Sequence, residues 1–337
     1  MKRSASWVVF LVLGLVPAWS EAPAETYFLP RNSSDSVIGE VRYVEAAAED
    51  TLLDVARRNS LGHDEIVQAN PTIDRWVPGA GTKVLLPTRF VLPDAPMDGI
   101  VLNVAELRLY YYPPNKDPLQ RVVMTFPVSI GRMDWKTPLG KTKVTRAVKN
   151  PPWTPPKSIR EEHAAEGDYL PDVIPGGDPT NPLGLYALQL GIPGYLIHGT
   201  DERKSAGIGM HVTHGCVRMY PEDIEWLYRF VEPGTPVYLI DQPVKAGWQS
   251  GSLYLEIHTP LEGLPEFDAR LPDQIFEESM QRLVALANGA LRIDHDAVGR
   301  TVDVGNGVPT LAAAAEAALP PARTSSPEPT RRPPSRR

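Results

Sequence analysis

Hydrophobic and polar positions in residues 41–88 follow a pattern that predicts a small α+β unit. Apolar residues recur with the helical period in the middle of this segment, and runs rich in β-branched residues lie at its two ends. In chain order the pattern predicts a strand, two helices and a strand, in the segments VRYV, TLLDVARRN, DEIVQANP and KVLLP. Asp50 or Thr51 is the candidate N-cap of the first helix, and Asp64 that of the second.

The segment from Asp98 to Asp241 predicts a mostly-β domain. Its apolar residues fall in short runs separated by glycine and proline, such as IVLNVAE, RLYYYP, RVVMTFPVSI, GLYALQLG, GYLIHG and PVYLID. One helix is predicted at PEDIEWLYRFV, because proline occupies the first turn and acidic residues lie near the positive end of the dipole. Residues 89–97 are proline-rich and are predicted to be a linker between the two units.

The two ends of the chain differ in character from these units. Residues 1–20 resemble a secretory signal peptide, with two basic residues before the apolar run WVVFLVLGLV, which is too short for a bilayer span of about 20 residues. Residues 242–304 are predicted to be an extension with a strand at LYLEIHTPL and a helix at PDQIFEESMQRLVALANGAL. Residues 305–337, rich in proline, alanine and arginine, predict a disordered tail. We therefore expect a periplasmic protein that is not integral to the membrane.

Composition narrows the classes of function. The formal net charge of −7 argues against nucleic acid as a partner, because phosphate binding needs clustered Lys and Arg in excess. Cys216 is the single cysteine of the 337 residues. A single cysteine forms no internal disulfide in an oxidising compartment, so Cys216 is either an inert side chain or a nucleophile.

The block IHGTDERKSAGIGMHVTHGCVRM surrounds this cysteine with residues that can activate it. A thiol attacks carbonyls as the thiolate and needs a neighbouring base. His198 ends a predicted strand, and His214 lies two residues before Cys216, which puts it on the same face of an extended segment. The amides of Gly215 and Cys216 are candidate oxyanion donors, and Arg218 can bind a carboxylate.

A zinc site is the competing interpretation of the same block. The spacing His211-x-x-His214-x-Cys216 offers imidazole and thiolate ligands of the kind that zinc prefers. Ligands packed so tightly on one extended segment do not converge readily on a tetrahedron. A nucleophile is therefore favoured, and neither a metal nor another cofactor is expected.

These motifs resemble the signature of the L,D-transpeptidase catalytic domain of the YkuD type, in the envelope ErfK/YbiS-like subgroup. The matching pieces are HGT, GIG and THGCVRM followed by PEDI, together with TPLGKTKV, KNPPWTPP, GDPTNPLGLYALQL and PVYLIDQPVK. The resemblance implies a β-sandwich with one or two short helices over residues 98–241. Residues 41–88 are similar to a LysM domain, which implies a module that binds glycans containing N-acetylglucosamine.

The resemblance also implies roles for individual residues. Cys216 would be the nucleophile and His198 its base. The expected oxyanion or orienting positions are Gly199, whose carbonyl would orient the imidazole, Gly215 and His214. The expected substrate contacts are Arg218, Thr213 and Tyr195. This sequence departs from the family pattern in having Thr213 where serine is usual and a longer loop from Thr200 to Gly207.

The implied reaction is acyl transfer on peptidoglycan stem peptides, with the glycan strands held by the N-terminal unit. The thiolate attacks the carbonyl of the third stem residue, releases the terminal D-alanine and forms a thioester. An amine of another stem or of an envelope lipoprotein then takes the acyl group. Two alternatives are a hydrolase, in which water replaces the amine, and a glycan-binding scaffold with an idle catalytic domain.

Overall fold

The computed structural model describes residues 25–31, 33–115, 117, 119–132, 135–259 and 272–315. The expected signal peptide, residues 1–20, lies outside these described residues, and so does the chain after residue 315. Within the described parts, no helix combines the length and the apolar character that a membrane span requires.

The N-terminal region contains the predicted α+β unit. Its elements are β1 (Thr26–Pro30), β2 (Val37–Gly39), β3 (Arg42–Glu45), α1 (Leu52–Arg58), α2 (His63–Ala69), β4 (Lys83–Leu86) and β5 (Arg89–Val91). The predicted order of strand, helix, helix and strand is confirmed as β3, α1, α2 and β4, with β3 and β4 paired antiparallel. Thr51 caps α1, but the second cap was predicted wrongly, since Gly62 precedes α2 and its amide donates to the Glu65 carboxylate at 2.7 Å.

The central region is mostly β, as predicted. Its elements are β6 (Gly99–Asn103), β7 (Arg108–Tyr112), β8 (Gln120–Pro127), β9 (Ile130–Gly131), β10 (Gly140–Lys149), α3 (Lys157–Ala165), β11 (Tyr186–Leu190), β12 (Leu196–His198), β13 (His211–Thr213), β14 (Val217–Arg218), α4 (Pro221–Phe230) and β15 (Pro236–Ile240). One large sheet has the order β1-β8-β7-β6-β15-β10-β11-β12-β14. The start of β10 pairs with β15 and its end with β11, so the two halves of the sheet share one core with α4.

The proline-rich segment at 89–97 is not a free linker, which corrects the prediction. Its first residues form β5, which pairs antiparallel with β2, and Phe90, Val91 and Leu92 are buried. The apolar residues between the prolines have hydrophobic partners on both sides, and this burial outweighs the tendency of proline to break strands.

The N-terminal unit and the central domain share a hydrophobic core. Leu52, Val55 and Ile66 of the helices pack in one cluster with residues from the outer face of the central sheet, which are Val101, Tyr110, Tyr112 and Val123. A buried ion pair adds to this contact, because Arg108 of β7 donates to the Glu65 carboxylate at 2.7 and 2.8 Å. The two units are therefore one packed body.

The C-terminal region is a third folded unit, larger than the strand and helix that were predicted. Its elements are β16 (Val244–Gln249), β17 (Ser252–Ile257), α5 (Pro272–Ala287), β18 (Arg292–Ile293), α6 (His295–Val304) and β19 (Thr310–Ala314). The predicted start of a disordered tail at residue 305 is wrong, because β19 lies inside a sheet of order β16-β17-β19-β18. Its alanines fit beneath α5 and α6, where small side chains pack without voids.

A buried charged cluster joins this C-terminal unit to the other two. Lys245 of β16 donates to Glu106 at 2.6 Å and to the carbonyl of Val91 at 2.7 Å, and pairs with Glu256 at 2.7 Å. Glu106, Glu256 and His258 lie close enough together to hold a metal ion, but the Lys245 ammonium already pairs with both carboxylates. Buried charges are costly unless paired, and here each has a partner.

Candidate active site

Strands β12 and β14 bring three of the predicted site residues to one face. The strands are parallel, with Ile197 opposite Val217 and His198 opposite Arg218. Ile197 and Val217 are buried in the core, so their neighbours project to the other side of the pair. Cys216 lies two residues before Arg218, so its side chain projects to the same side as that of Arg218. The thiol therefore shares a face with the His198 imidazole and the Arg218 guanidinium.

The His198 imidazole is fixed in one orientation by the backbone. Its Nδ1 donates to the carbonyl of Gly199 at 2.6 Å, the contact that the family resemblance implied, and this leaves Nε2 as the proton acceptor. Burial and, to a lesser extent, the nearby charge of Arg218 lower the pKa of His198 to about 3. The imidazole is therefore neutral near pH 7 and able to accept a proton.

The Cys216 thiol lies half-buried between β13 and β14. Its Sγ is 3.6 Å from the carbonyl oxygen of Gly194. Burial raises the pKa of the thiol above its ordinary value, against the opposing effects of the Leu196 amide and of Arg218. The resting thiol is therefore protonated at neutral pH, and a base must remove its proton during the reaction.

The turn that presents Cys216 is held by two threonine hydroxyls. Thr213 Oγ1 donates to the carbonyl of Cys216 at 2.5 Å and accepts from the amide of Gly215 at 3.2 Å. Thr137 Oγ1 donates to the carbonyl of Gly215 at 2.9 Å and accepts from Gly131 N at 3.0 Å. Gly215 has φ +98°, and a Cβ there would come within 2.9 Å of the Tyr195 ring, so only glycine fits.

These bonds bear on two of the predicted roles. Thr213 is only 2% exposed and both of its hydrogen bonds stay within the turn, so it supports the nucleophile. The amide of Gly215 is already used by Thr213, which leaves the amide of Cys216 as the candidate oxyanion donor. Tyr195 remains half-buried against the turn, where it is placed to contact a bound molecule.

His214 is bound to the helix α3 and is not free to act on the thiol. Its Nε2 lies 2.8 Å from Glu162 Oε2, and its ring meets the Trp135 ring edge-on at 5.5 Å. Arg132 donates to the other carboxylate oxygen of Glu162 at 2.6 Å, and together these two partners lower the pKa of Glu162 to about 2. No local motif pointed to Glu162 or Trp135, because both residues lie far from Cys216 along the chain.

The zinc interpretation fails on geometry. His214 is engaged with Glu162, whereas His211 lines a small cavity with Asp64 and His258 at the junction of the three units. Among the described residues, the metal-ligand atoms of His211, His214 and Cys216 do not come together as a group.

Comparison with known proteins agrees with this site. The family model described as the L,D-transpeptidase catalytic domain matches residues 98–239, which include Cys216 and His198. The protein named "Probable L,D-transpeptidase YcfS" from Escherichia coli K12 is 36% identical over 314 residues, spanning 91% of this chain and 94% of that protein. The chain belongs to the L,D-transpeptidase family. "Probable L,D-transpeptidase YbiS" from the same organism is 41% identical over 256 residues, covering 75% of this chain and 80% of its own length.

Replacing His198 with glutamine in this L,D-transpeptidase should lower the acylation rate by about 10²–10⁴-fold, the usual contribution of a general base. Glutamine has no group that accepts the thiol proton. Acylation is measured by mass spectrometry of the intact protein after mixing with a tetrapeptide muropeptide.

His163→Gln on the surface of α3 is the matched control and should leave the rate unchanged. His214→Gln should lower the acylation rate less than His198→Gln does, because the His214 ring is bound to Glu162.

Because the pKa of His198 is about 3, the wild-type acylation rate should show no inflection from imidazole protonation between pH 7 and pH 5. An inflection near pH 6.5 that disappears in His198→Gln would contradict the neutral-base assignment.

Proposed function

We propose that this L,D-transpeptidase exchanges the acyl group of a peptidoglycan tetrapeptide stem through a thioester on Cys216. The observation that carries the proposal is the shared face of β12 and β14, which brings together the thiol and a neutral imidazole whose Nδ1 is bound to the backbone. Other support comes from Arg218, whose half-buried guanidinium is placed to pair with the carboxylate of the departing D-alanine.

The reaction balances with these groups alone. His198 Nε2 takes the thiol proton while the sulfur attacks the carbonyl carbon of the third stem residue, and the Cys216 amide donates to the developing oxyanion. The bond to the terminal D-alanine breaks, and its amine leaves with the proton from His198. An acceptor amine then attacks the thioester, the carbon–sulfur bond breaks and the proton returns to the thiol.

Product analysis of purified tetrapeptide muropeptides tests this proposal. With the wild-type protein we expect loss of D-alanine and an adduct on Cys216, followed by a new amide when an amine acceptor is present. Products that gain only water, even at high acceptor concentration, would instead establish a hydrolase. No adduct and no product would leave a glycan-binding scaffold as the function.

We also propose that residues 41–88 form a LysM domain that binds the glycan strand, in a periplasmic protein. The support is the order of β3, α1, α2 and β4, and an aromatic side chain presented by the loop between α2 and β4. Trp76 is 59% exposed there, next to the exposed Val77. An exposed indole provides an apolar platform on which a sugar ring can stack.

Trp76→Ala should weaken binding to intact sacculi by about 2- to 10-fold, the equivalent of losing one aromatic contact. Acylation of small soluble muropeptides should be unchanged. Sacculus pull-down over a range of protein concentrations measures the first effect. Tyr169→Ala, which removes an exposed aromatic ring from the central domain, is the matched control. Equal pull-down for both variants would rule out Trp76 as a glycan contact.

A further inference from the structure

We propose that Arg57, a residue of the N-terminal unit, is a positioning residue for the transpeptidase reaction. It contacts no reacting atom. Its guanidinium holds the two chain segments that follow His198 and Cys216, and so it fixes the relation between base and nucleophile. The inference rests on the proposed function, because it concerns the acylation of that thiol.

The guanidinium of Arg57 bridges two carboxylates of the central domain. Its Nε and Nη2 donate to Glu222 at 2.7 and 2.8 Å, and its Nη1 and Nη2 donate to Glu202 at 2.9 and 3.2 Å. The same group lies over the Tyr220 ring at 5.3 Å. Only the planar fork of an arginine can satisfy two carboxylates in this way.

The two carboxylates lie in the chain segments that follow His198 and Cys216. Glu202 lies four residues after His198, in the loop from Thr200 to Gly207. Glu222 lies in the first turn of α4, which begins three residues after β14, and Cys216 immediately precedes β14. The Arg57 side chain therefore links the segment that follows His198 to the segment that follows Cys216.

Backbone contacts beside Arg57 hold the same loop. The amides of His63 and Asp64 donate to the carbonyls of Ile208 and Gly209 at 2.8 and 3.2 Å. Together these contacts make the N-terminal unit the support on which the chain between His198 and His211 rests.

A purely stabilising role explains these pairs poorly. The units are already joined by the shared apolar core and by the buried pair of Arg108 with Glu65. The pairs of Arg57 are partly open to solvent, and partly exposed ion pairs contribute little to stability. Arg57 also lines a groove of about 700 Å³ together with Glu202, Glu222 and Thr200, and Thr200 lies two residues after His198.

The test is single-turnover acylation on a small muropeptide that lacks a glycan chain, so that glycan binding plays no part. Arg57→Ala should lower the maximal acylation rate by about 10- to 100-fold, the cost of a small misplacement of reacting groups, with little change in the concentration for half-saturation. Arg57→Lys should restore less than half of the lost rate, measured as the logarithm of the fold-change. Lysine restores the positive charge, but it lacks the planar guanidinium that binds both carboxylates.

Arg58→Ala is the matched control, since it removes the same charge from the next position of α1. Arg58 pairs with Asp50 within its own unit, at 2.6 and 2.8 Å. The acylation rate of the Arg58→Ala variant should stay within about twofold of the wild-type rate. Equal rates for Arg57→Ala and Arg58→Ala would overturn the inference.

Two further results test whether Arg57 acts through these carboxylates. The double variant Glu202→Gln with Glu222→Gln should show a loss similar to that of Arg57→Ala, and combining all three changes should add nothing further. If the effects were additive, Arg57 would not act through these carboxylates. If the wild-type protein formed no thioester, the proposed function would fail, whereas normal acylation by Arg57→Ala would reject this inference alone.

Discussion

Replacing Cys216 with alanine or serine should abolish acyl transfer and leave the fold intact. Alanine has no nucleophile. Serine places a hydroxyl in the same turn, but the proton of a hydroxyl is far harder to remove than that of a thiol. Release of D-alanine and the mass of the intact protein measure the loss, and the thermal midpoint Tm shows whether the fold is retained.

Thr213→Ser is the matched control in the same turn. It keeps the hydroxyl that donates to the Cys216 carbonyl, so we expect nearly wild-type turnover and an unchanged Tm. Turnover close to wild type in Cys216→Ala or Cys216→Ser would show that the thiol does not carry the covalent step.

A chain that begins at Asp98 should lose both its cooperative folding and its acylation activity. Removing the N-terminal unit would expose Val101, Tyr110, Tyr112 and Val123, all buried in the shared core. Burial of each large apolar side chain contributes about 1.5–3 kcal/mol, so the sum is comparable with the about 5–15 kcal/mol that stabilises a typical domain. The buried Arg108 would also lose Glu65, at a cost of about 3–5 kcal/mol.

Thermal unfolding and single-turnover acylation of the shortened chain test this expectation. Trp76→Ala serves as the comparison, because it should impair sacculus binding alone and keep the full Tm. If the shortened chain unfolded cooperatively near the wild-type Tm and acylated small muropeptides normally, the two units would be separable modules and the N-terminal unit only a tether.

Elements with a strong local pattern could be predicted from the sequence. The helices α1, α2, α4 and α5 have helical spacing and capping or proline signals, and each was placed correctly. The segments at 89–92 and 310–314 were not, because Pro87 and Pro93 flank the first and the second begins an alanine-rich run, which indicates loops or tails. Their strand pairing depends on distant partners, which local spacing does not specify.

The same distinction applies to the candidate site. Cys216, His198 and Arg218 lie in short motifs, and alternation along a strand was enough to put Cys216 and Arg218 on one face. The roles of Thr213, Gly215 and His214 depend on hydrogen bonds in the folded turn. Some of the partners, such as Thr137 and Glu162, lie far along the chain. The role of Arg57 could not be predicted for the same reason, because its hydrogen-bond partners belong to another unit.

The half-buried thiol of Cys216 also bears on chemical damage. Peroxides and disulfides react with the thiolate, and a thiol kept protonated reacts with them slowly. Because burial holds the pKa of Cys216 above its ordinary value, the resting enzyme contains little thiolate at neutral pH. The reactive form arises only when His198 takes the proton during attack on a bound carbonyl. A single cysteine can thereby persist among oxidants without a second thiol to repair it.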